Sequence, residues 1–482
     1  MLFRKNPSPR RAGPLIILII PVLIICLQGV LCAERTWAQQ PPAPSGLPQS
    51  QVPLFGGAGW AYLSQFANPA LFGALYLTPE WPLTGYYPLY PGGLSQVIPD
   101  DGVLVGPLRL HPFVGAAQMY TDNVFRTNTS RKGDFVTTLG PGIQAQLPFG
   151  GFHSFLIDYR TNIQYYQRTS SNDVQDQTAS GRFKFDFPGG LKLDLQGEHK
   201  LGHDPRGSAV DNQAVEVNKW ATNSFTGQAE YVGAQSSVRL NAQTMRWNML
   251  NNNQGIFRDV LINNVGMTFS GNATGKTSVL ANVGVIQSIY DQNKNLDSDM
   301  YQINGGATWN PSELISGQIL VGYQHLKYTR AQVIQPGPVL SQFTREKDSY
   351  GNFFFMGNLN WKPTSLLTIS LQPYRTIQQI VVFGSLFYVT TGVNLGASHT
   401  LTDSTTLTLN LGVEQDKFTG ASSTTTGFDR TDLIKNVAVG VKYRAVKWLG
   451  LGFQYIFEDR SSTQDQFKYH ANTFMVSAQM VF

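Results

Sequence analysis

Three places in the sequence combine residue type and spacing in a way that could do chemistry. The first is GNATGKTS, residues 271–278. A phosphate-cradling loop needs four residues between its first glycine and the Gly-Lys-Thr. Gly271 and Gly275-Lys276-Thr277 leave three, and the strand-like pattern around them supplies no helix N-terminus to meet a phosphate. The second is DQNKNLDSDMYQ, residues 291–302, with Asp291, Asn293, Asn295 and Asp297 at alternate positions in the style of a calcium loop. Leu296 stands where that loop turns on glycine, and Gln302 where it needs a bidentate glutamate. A weak cation site and a plain polar loop both stay open there. The third is histidine, at 111, 153, 199, 203, 325, 399 and 470. His199, His203 and Asp204 are close in sequence but not at metal-ligand spacing. His399, in GASHTL, has no partner for a nucleophile at hand. The expectation is a protein that is not an enzyme and uses no metal or cofactor.

A second set of charges is more regular. In RFKFDF, Arg182, Lys184 and Asp186 alternate with Phe183, Phe185 and Phe187. In TLTLNLGVEQD, Leu407, Leu409, Leu411 and Val413 alternate with Thr408, Asn410 and Glu414; VAVGVKY sets Val437, Val439, Val441 and Tyr443 against Lys442. The chain ends on ANTFMVSAQMVF, with Phe474, Val476, Met480 and Phe482 on one side of the same alternation. A period of two is the strand period.

These strands must form a sheet that buries one apolar face, and composition helps to choose which. Charged residues make up 14% of the chain, against about 25% for an ordinary soluble domain. From residue 108 onward the alternating segments reach the roughly 9–11 residues that a tilted strand needs to cross a bilayer. Aromatics sit near their ends, as Tyr165, Trp247, Trp309, Trp361, Tyr443 and Trp448, where interface girdles belong. Connections alternate between short turns, such as Pro188-Gly189-Gly190, and long polar loops near 203–217, 250–258, 329–347 and 417–430. A soluble sandwich has no reason for that alternation; a barrel inserted from one side does. The fold expected over 108–482 is all-β, a transmembrane antiparallel up-and-down β-barrel of about 18 strands, with 16 as the alternative.

In such a barrel Asp158, Arg160, Arg182, Lys184, Asp186, Lys192, Asp194, Glu198, Arg239, Glu414 and Lys442 face the lumen. A charge on the lipid face costs about 2–4 kcal/mol at the midplane, so stability alone explains facing inward. The functional reading adds that these residues line a pore and set its field. Arg160, Arg182, Lys184 and Lys192 suggest a local basic wall, which Asp158, Asp186 and Asp194 would offset.

The N-terminus reads as export. Arg4, Lys5, Arg10 and Arg11 precede the apolar stretch 14–31, and Ala38 offers a cleavage point, so residues 1–38 are expected to be a signal peptide. That segment holds five of the 36 Lys/Arg and one of the 31 Asp/Glu, leaving 31 basic against 30 acidic residues. The remainder therefore gives no electrostatic case for nucleic acid as a partner. Cys26 and Cys32, the two cysteines, leave with it. Residues 39–107, rich in Pro, Gly, Tyr and Trp, show no stable period and read as an irregular periplasmic lead-in or a plug.

The stretch 105–147 resembles the opening strands of the putative beta-barrel porin 2 family. Tyr120, Thr121, Asp122, Asn123, Val124 and Phe125 carry the resemblance, with Asp134, Phe135 and the Val-Thr-Thr-Leu that follows, and Pro141-Gly142. The resemblance extends over about 108–482 and is motif-specific in the first two strands. It implies a Gram-negative outer-membrane barrel, and a family in which some members accompany exopolysaccharide systems. The expected function is a channel for passive or gated passage of small solutes or polysaccharide. The alternative is a non-conducting accessory barrel that supports exopolysaccharide export or surface assembly. The expected partners are outer-membrane lipid and, during biogenesis, the barrel assembly machinery, whose recognition signal the C-terminal aromatic resembles.

Overall fold

The computed structural model describes residues 102–208, 211, 216–253, 258–330, 344–345, 347–382, 385–419, 421–422 and 430–482. The expected signal peptide and the 39–107 segment up to residue 101 lie outside the described residues. A short lead strand, Val103–Val105, pairs back on the first barrel strand. The barrel then runs through β1 (Leu108–Thr121), β2 (Asp134–Phe149), β3 (His153–Tyr166), β4 (Val174–Asp186), β5 (Leu191–His203) and β6 (Lys219–Val232). It continues with β7 (Ser236–Met249), β8 (Val260–Thr274), β9 (Thr277–Tyr290), β10 (Ser298–Ser312), β11 (Ile315–Tyr328) and β12 (Ser349–Trp361). It ends with β13 (Leu367–Val382), β14 (Ser385–Thr402), β15 (Thr405–Thr419), β16 (Thr431–Val446), β17 (Leu449–Ser462) and β18 (Tyr469–Val481).

Each strand pairs antiparallel with the next, and β18 returns to β1 from Phe113↔Val481 to Thr121↔Thr473. The sheet is thus a closed ring of eighteen strands, in which every strand has a neighbour on both sides. No described helix is long and apolar enough to cross a membrane; the crossing is made by strands. One end of the ring carries tight turns such as 275–276 and 403–404, and the other carries longer connections at 122–133, 204–218 and 329–348. This division is the one expected of a barrel inserted from one side. In the turn after β4, Gly189 and Gly190 adopt φ of 93° and 91°, a region that side chains make costly.

Alternation decides the faces. On β15, Leu407, Leu411 and Val413 point outward and are exposed, while Glu414, Asp416 and Phe418 point inward and are buried. The outward aromatics Tyr165, Trp361, Tyr443 and Trp448 are likewise exposed. Trp247 corrects the expected girdle: it points inward, 8% exposed, and joins an apolar cluster inside the ring. On β18, Phe474, Val476 and Met480 are on the outer face, and Phe482, which follows the strand, is exposed with them. The Phe482 ring lies 6.0 Å from Trp448 at 14°, and its backbone N–H donates to the Pro112 carbonyl at 3.0 Å. The last residue is therefore tied into the closing seam.

Candidate functional site

A densely charged part of the inner face is built by β3 to β7. Register places Leu156 opposite Arg182 and Asp158 opposite Ser180. It then places Asp186 opposite Lys192, Lys184 opposite Asp194, and Ser180 opposite Glu198. Arg239 faces Glu230 across β6 and β7. Asp158, Arg160, Arg182, Lys184, Asp186, Lys192, Asp194, Glu198 and Arg239 thus share one wall. The outer side of these strands carries exposed Tyr159, Phe183 and Leu195.

The charges of this wall are interleaved in sign. Arg182 Nε donates to both oxygens of Asp194, at 2.7 and 2.9 Å. Arg160 lies 3.4 Å from Asp158, Lys192 3.6 Å from Asp186, and Arg239 2.7 Å from Glu230. Partly exposed pairs of this kind add only about 0–1 kcal/mol each, so their main effect is on the local field. The basic wall suggested by Arg160, Arg182, Lys184 and Lys192 is offset acid by acid. Glu230 was not among the sequence candidates, although alternation in QAEYV assigns it to the same face. Glu414 and Lys442 lie elsewhere on the ring. Glu414 is in the outer half of β15, where its Oε2 accepts a bond from Tyr374 Oη at 2.5 Å. Lys442 sits near the short-turn end of β16, opposite Thr406.

The family-motif residues form a clasp at the outer end of the seam. Asp122 Oδ1 and Oδ2 accept from the backbone and side-chain amides of Asn472 at 2.8 and 2.6 Å, tying β1 to β18. Asn123, fully buried, donates to the carbonyls of Thr127 and His470 at 2.8 and 2.9 Å. Tyr120 packs on Phe135 at 4.9 Å. Phe125 has the Arg206 guanidinium over its ring at 5.4 Å, which links the 122–133 connection to 204–218. Asp134 accepts from the N–H groups of Phe135, Arg168 and Thr169 at 2.8, 3.0 and 2.9 Å, and from the Thr169 hydroxyl at 2.5 Å. Hydrogen bonds to a charged group contribute about 1.5–3 kcal/mol each, and donors left unpaired add a penalty. Asp134→Ala is therefore expected to lower stability by roughly 2–3 kcal/mol. The midpoint of the heat-induced gel shift checks this, and an unshifted midpoint would contradict it.

Two further outer connections are locked by charge. Arg126 pairs with Glu458 at 2.6 Å, both buried. Arg430 stands 3.8 Å from the ring centroids of both Phe418 and Phe467, and 3.0 Å from Asp432. Burial pushes the Arg430 guanidinium down to about 10, against the pull of Asp432. It remains a cation at neutral pH.

The outer part of β13 departs from the wall. Its pairing with β12 ends at Phe355↔Arg375, while β13–β14 and β14–β15 stay paired up to Gln379↔Phe387 and Phe387↔Thr419. Ile377 N donates to Gln324 Oε1 at 3.0 Å, and Gln324 Nε2 donates to Thr376 Oγ1 at 3.1 Å. Ser288 donates to Gln379 Oε1 at 2.9 Å, and Gln379 Nε2 to Ser298 Oγ at 3.1 Å. Ser288, Ser298 and Gln324 are inner-face residues of β9, β10 and β11, so the hairpin reaches past β12 on the lumen side. None of these residues stood out in the sequence reading. A signal was present: QIVVFGSLFYV, residues 379–389, is apolar on both faces, as a strand buried on both sides requires.

The other motifs do not assemble into sites. GNATGKTS forms the turn between β8 and β9, with Lys276 Nζ donating to the Pro311 carbonyl at 2.7 Å. In the 291–297 connection, Asp291 pairs with Arg246, and Asp297 accepts from Tyr290 N and Arg330 Nε, both at 2.8 Å. His203 lies 2.9 Å from Asp176, and His199 2.8 Å from Asn223. No group of three or more metal-ligating side chains occurs among the described residues.

A model of a known family, described as putative beta-barrel porin 2, matches residues 99–482. None of the curated proteins matches the chain. Solved structures similar to it include OccK2 (OpdF) from Pseudomonas aeruginosa, at TM-score 0.45 and 9% identity, covering 77% of this chain and 98% of that one. The outer membrane protein OpdK of the same organism gives TM-score 0.44 and 8% identity, over 77% and 99%. A variant of the ferric enterobactin receptor PfeA, also from Pseudomonas aeruginosa, gives 0.41 and 7%, over 77% and 80%.

Proposed function

Because the chain belongs to the putative beta-barrel porin 2 family, and so to the Gram-negative outer membrane, we propose that it is a channel for small polar solutes. Eighteen strands make a ring wide enough for an aqueous lumen. The observation that carries the reading is the β3–β7 wall. Nine sequence-selected charges and Glu230 face inward there, eight of them in four pairs of opposite sign. Such a lining attracts and orients polar solutes without holding ions of one sign tightly. The solute is a small polar molecule or a segment of polysaccharide, and residues 39–107 serve as periplasmic lead-in or plug.

A second reading, the closed accessory barrel, draws support from the hairpin that reaches into the lumen. Solute release separates the two. Liposomes holding the refolded protein, with and without residues 39–101, are loaded with sugars of increasing size. A channel releases small sugars and retains large ones in at least one of the two forms. An accessory barrel releases none in either form, although the protein is folded.

A further inference from the structure

Five consecutive strands, β8 to β12, turn a face without charge to the lumen. The only Asp, Glu, Lys, Arg or His residues in them are Asp299, His325 and Lys327. All three share the outward alternation of Tyr301, Ile303, Val321 and Tyr323, which are exposed. Asp299 stands opposite Lys327 near the outer ends of β10 and β11. A lumen accepts charge at little cost, as the β3–β7 wall does. Stability therefore does not require five inner faces in a row to lack it.

In place of charge this face carries amides, set side by side by the register. Thr268, Asn282 and Asn304 form one row across β8, β9 and β10. Asn282 Nδ2 donates to Thr268 Oγ1 at 2.7 Å, and Asn304 Nδ2 to Asn282 Oδ1 at 3.3 Å. Gln302, Gln324 and Asn352 form a second row across β10, β11 and β12, with Gln324 Nε2 donating to Gln302 Oε1 at 3.2 Å. Toward the short-turn end, Gln318 stands opposite Asn358, and both are partly exposed. Gly322 lies opposite Asn304, and an added Cβ there would meet Asn304 Cβ at 2.5 Å, so the wall is kept clear beside that amide. From Gln318 to Gln324 the strand rises about 20 Å.

The rows leave hydrogen-bonding capacity of both kinds. Asn304 Oδ1 and Asn358 Oδ1 are acceptors without a partner, and Gln302 Nε2 and Asn352 Nδ2 are donors without one. Gln302, Asn304 and Asn352 are buried, where unmade bonds of this kind are costly. A cation would satisfy only the acceptors and an anion only the donors. A hydroxyl group donates and accepts at once, as an amide does, and neither carries a charge.

We infer that the inner face of β8 to β12 is a binding track for uncharged solutes that carry several hydroxyl groups, sugars being the class that fits. Gln318 and Asn358 make the first contacts from the short-turn end, and the rows beyond them continue the same chemistry. Several exchangeable bonds, none to a fixed charge, let a solute bind and still leave. The track rests on the channel reading for passage, but binding to it does not.

The test is equilibrium dialysis of the folded full chain in detergent against labelled maltohexaose, with a hexamer of galacturonate as the charged counterpart. The account expects maltohexaose to bind at least tenfold more tightly than the acid. Gln318→Met with Asn358→Leu keeps the side-chain volumes and removes two amides, and is expected to weaken maltohexaose binding about tenfold. If that variant fails to fold, Gln318→Ala alone serves, with an expected loss of about threefold. Undetectable maltohexaose binding, equal affinity for the two hexamers, or an affinity unchanged by the substitutions overturns the track. Sugar release from liposomes that the substitutions leave unaltered, with binding unaltered too, keeps the channel and removes the track. Binding lost on substitution, in a protein that releases no sugar from liposomes, keeps the track and removes the channel.

Discussion

Exchanging Arg182 and Lys184 together for glutamate is expected to make the pore strongly cation-selective. The β3–β7 wall is close to electrically balanced, with Arg182 bound to Asp194 and Lys192 beside Asp186. The double change alters the wall by four units of charge within about one Debye length, ~10 Å at 0.1 M salt. Asp194 loses its cation and gains an anionic neighbour. A low-dielectric tube focuses such a field, and the ratio of cation to anion permeability is expected to move by roughly an order of magnitude. Reversal potentials across a salt gradient check this. Arg182→Gln with Lys184→Gln is the control and should produce about half the shift. An unchanged reversal potential would place both residues outside the conduction path.

Deleting Phe482 is expected to cost most of the folded protein rather than change its conductance. The residue closes the ring by its N–H to Pro112 and its ring against Trp448. Phe474, Val476 and Met480 extend the same outward face, which we propose is what the assembly machinery reads. The loss falls on insertion, so the heat-modifiable band should weaken severalfold while any folded remainder conducts as before. Phe482→Tyr keeps an aromatic and is expected to retain most of the yield. Normal levels of folded protein after the deletion would refute this account of the C-terminus.

Much of this architecture was legible because a barrel wall is one layer thick. Each residue meets either lipid or lumen, and a period of two separates them, so RFKFDF and TLTLNLGV assign their own faces. The Asp-Asn-Val-Phe stretch was legible as a carrier of the family resemblance. Its role as a clasp was not, because Asp122 reaches Asn472, some 350 positions away, and sequence spacing says nothing of such a partner. Trp247 misled for a related reason. Alternation gives two faces but does not label them, and an aromatic near a strand end suits a girdle as well as an inner cluster. The hairpin was missed because the reading assumed that all strands share one wall. Where β13 leaves that wall, Ile377 and Phe387 face neither lipid nor water, and the doubly apolar run 379–389 is the trace of that departure.

The central claim is that this ring encloses a water-filled path. Single-channel recording in a planar bilayer tests it most directly, on the full chain and on the chain without residues 39–101. The account predicts discrete steps in at least one of the two. Silence in both folded proteins, with and without residues 39–101, would contradict it and leave a closed barrel.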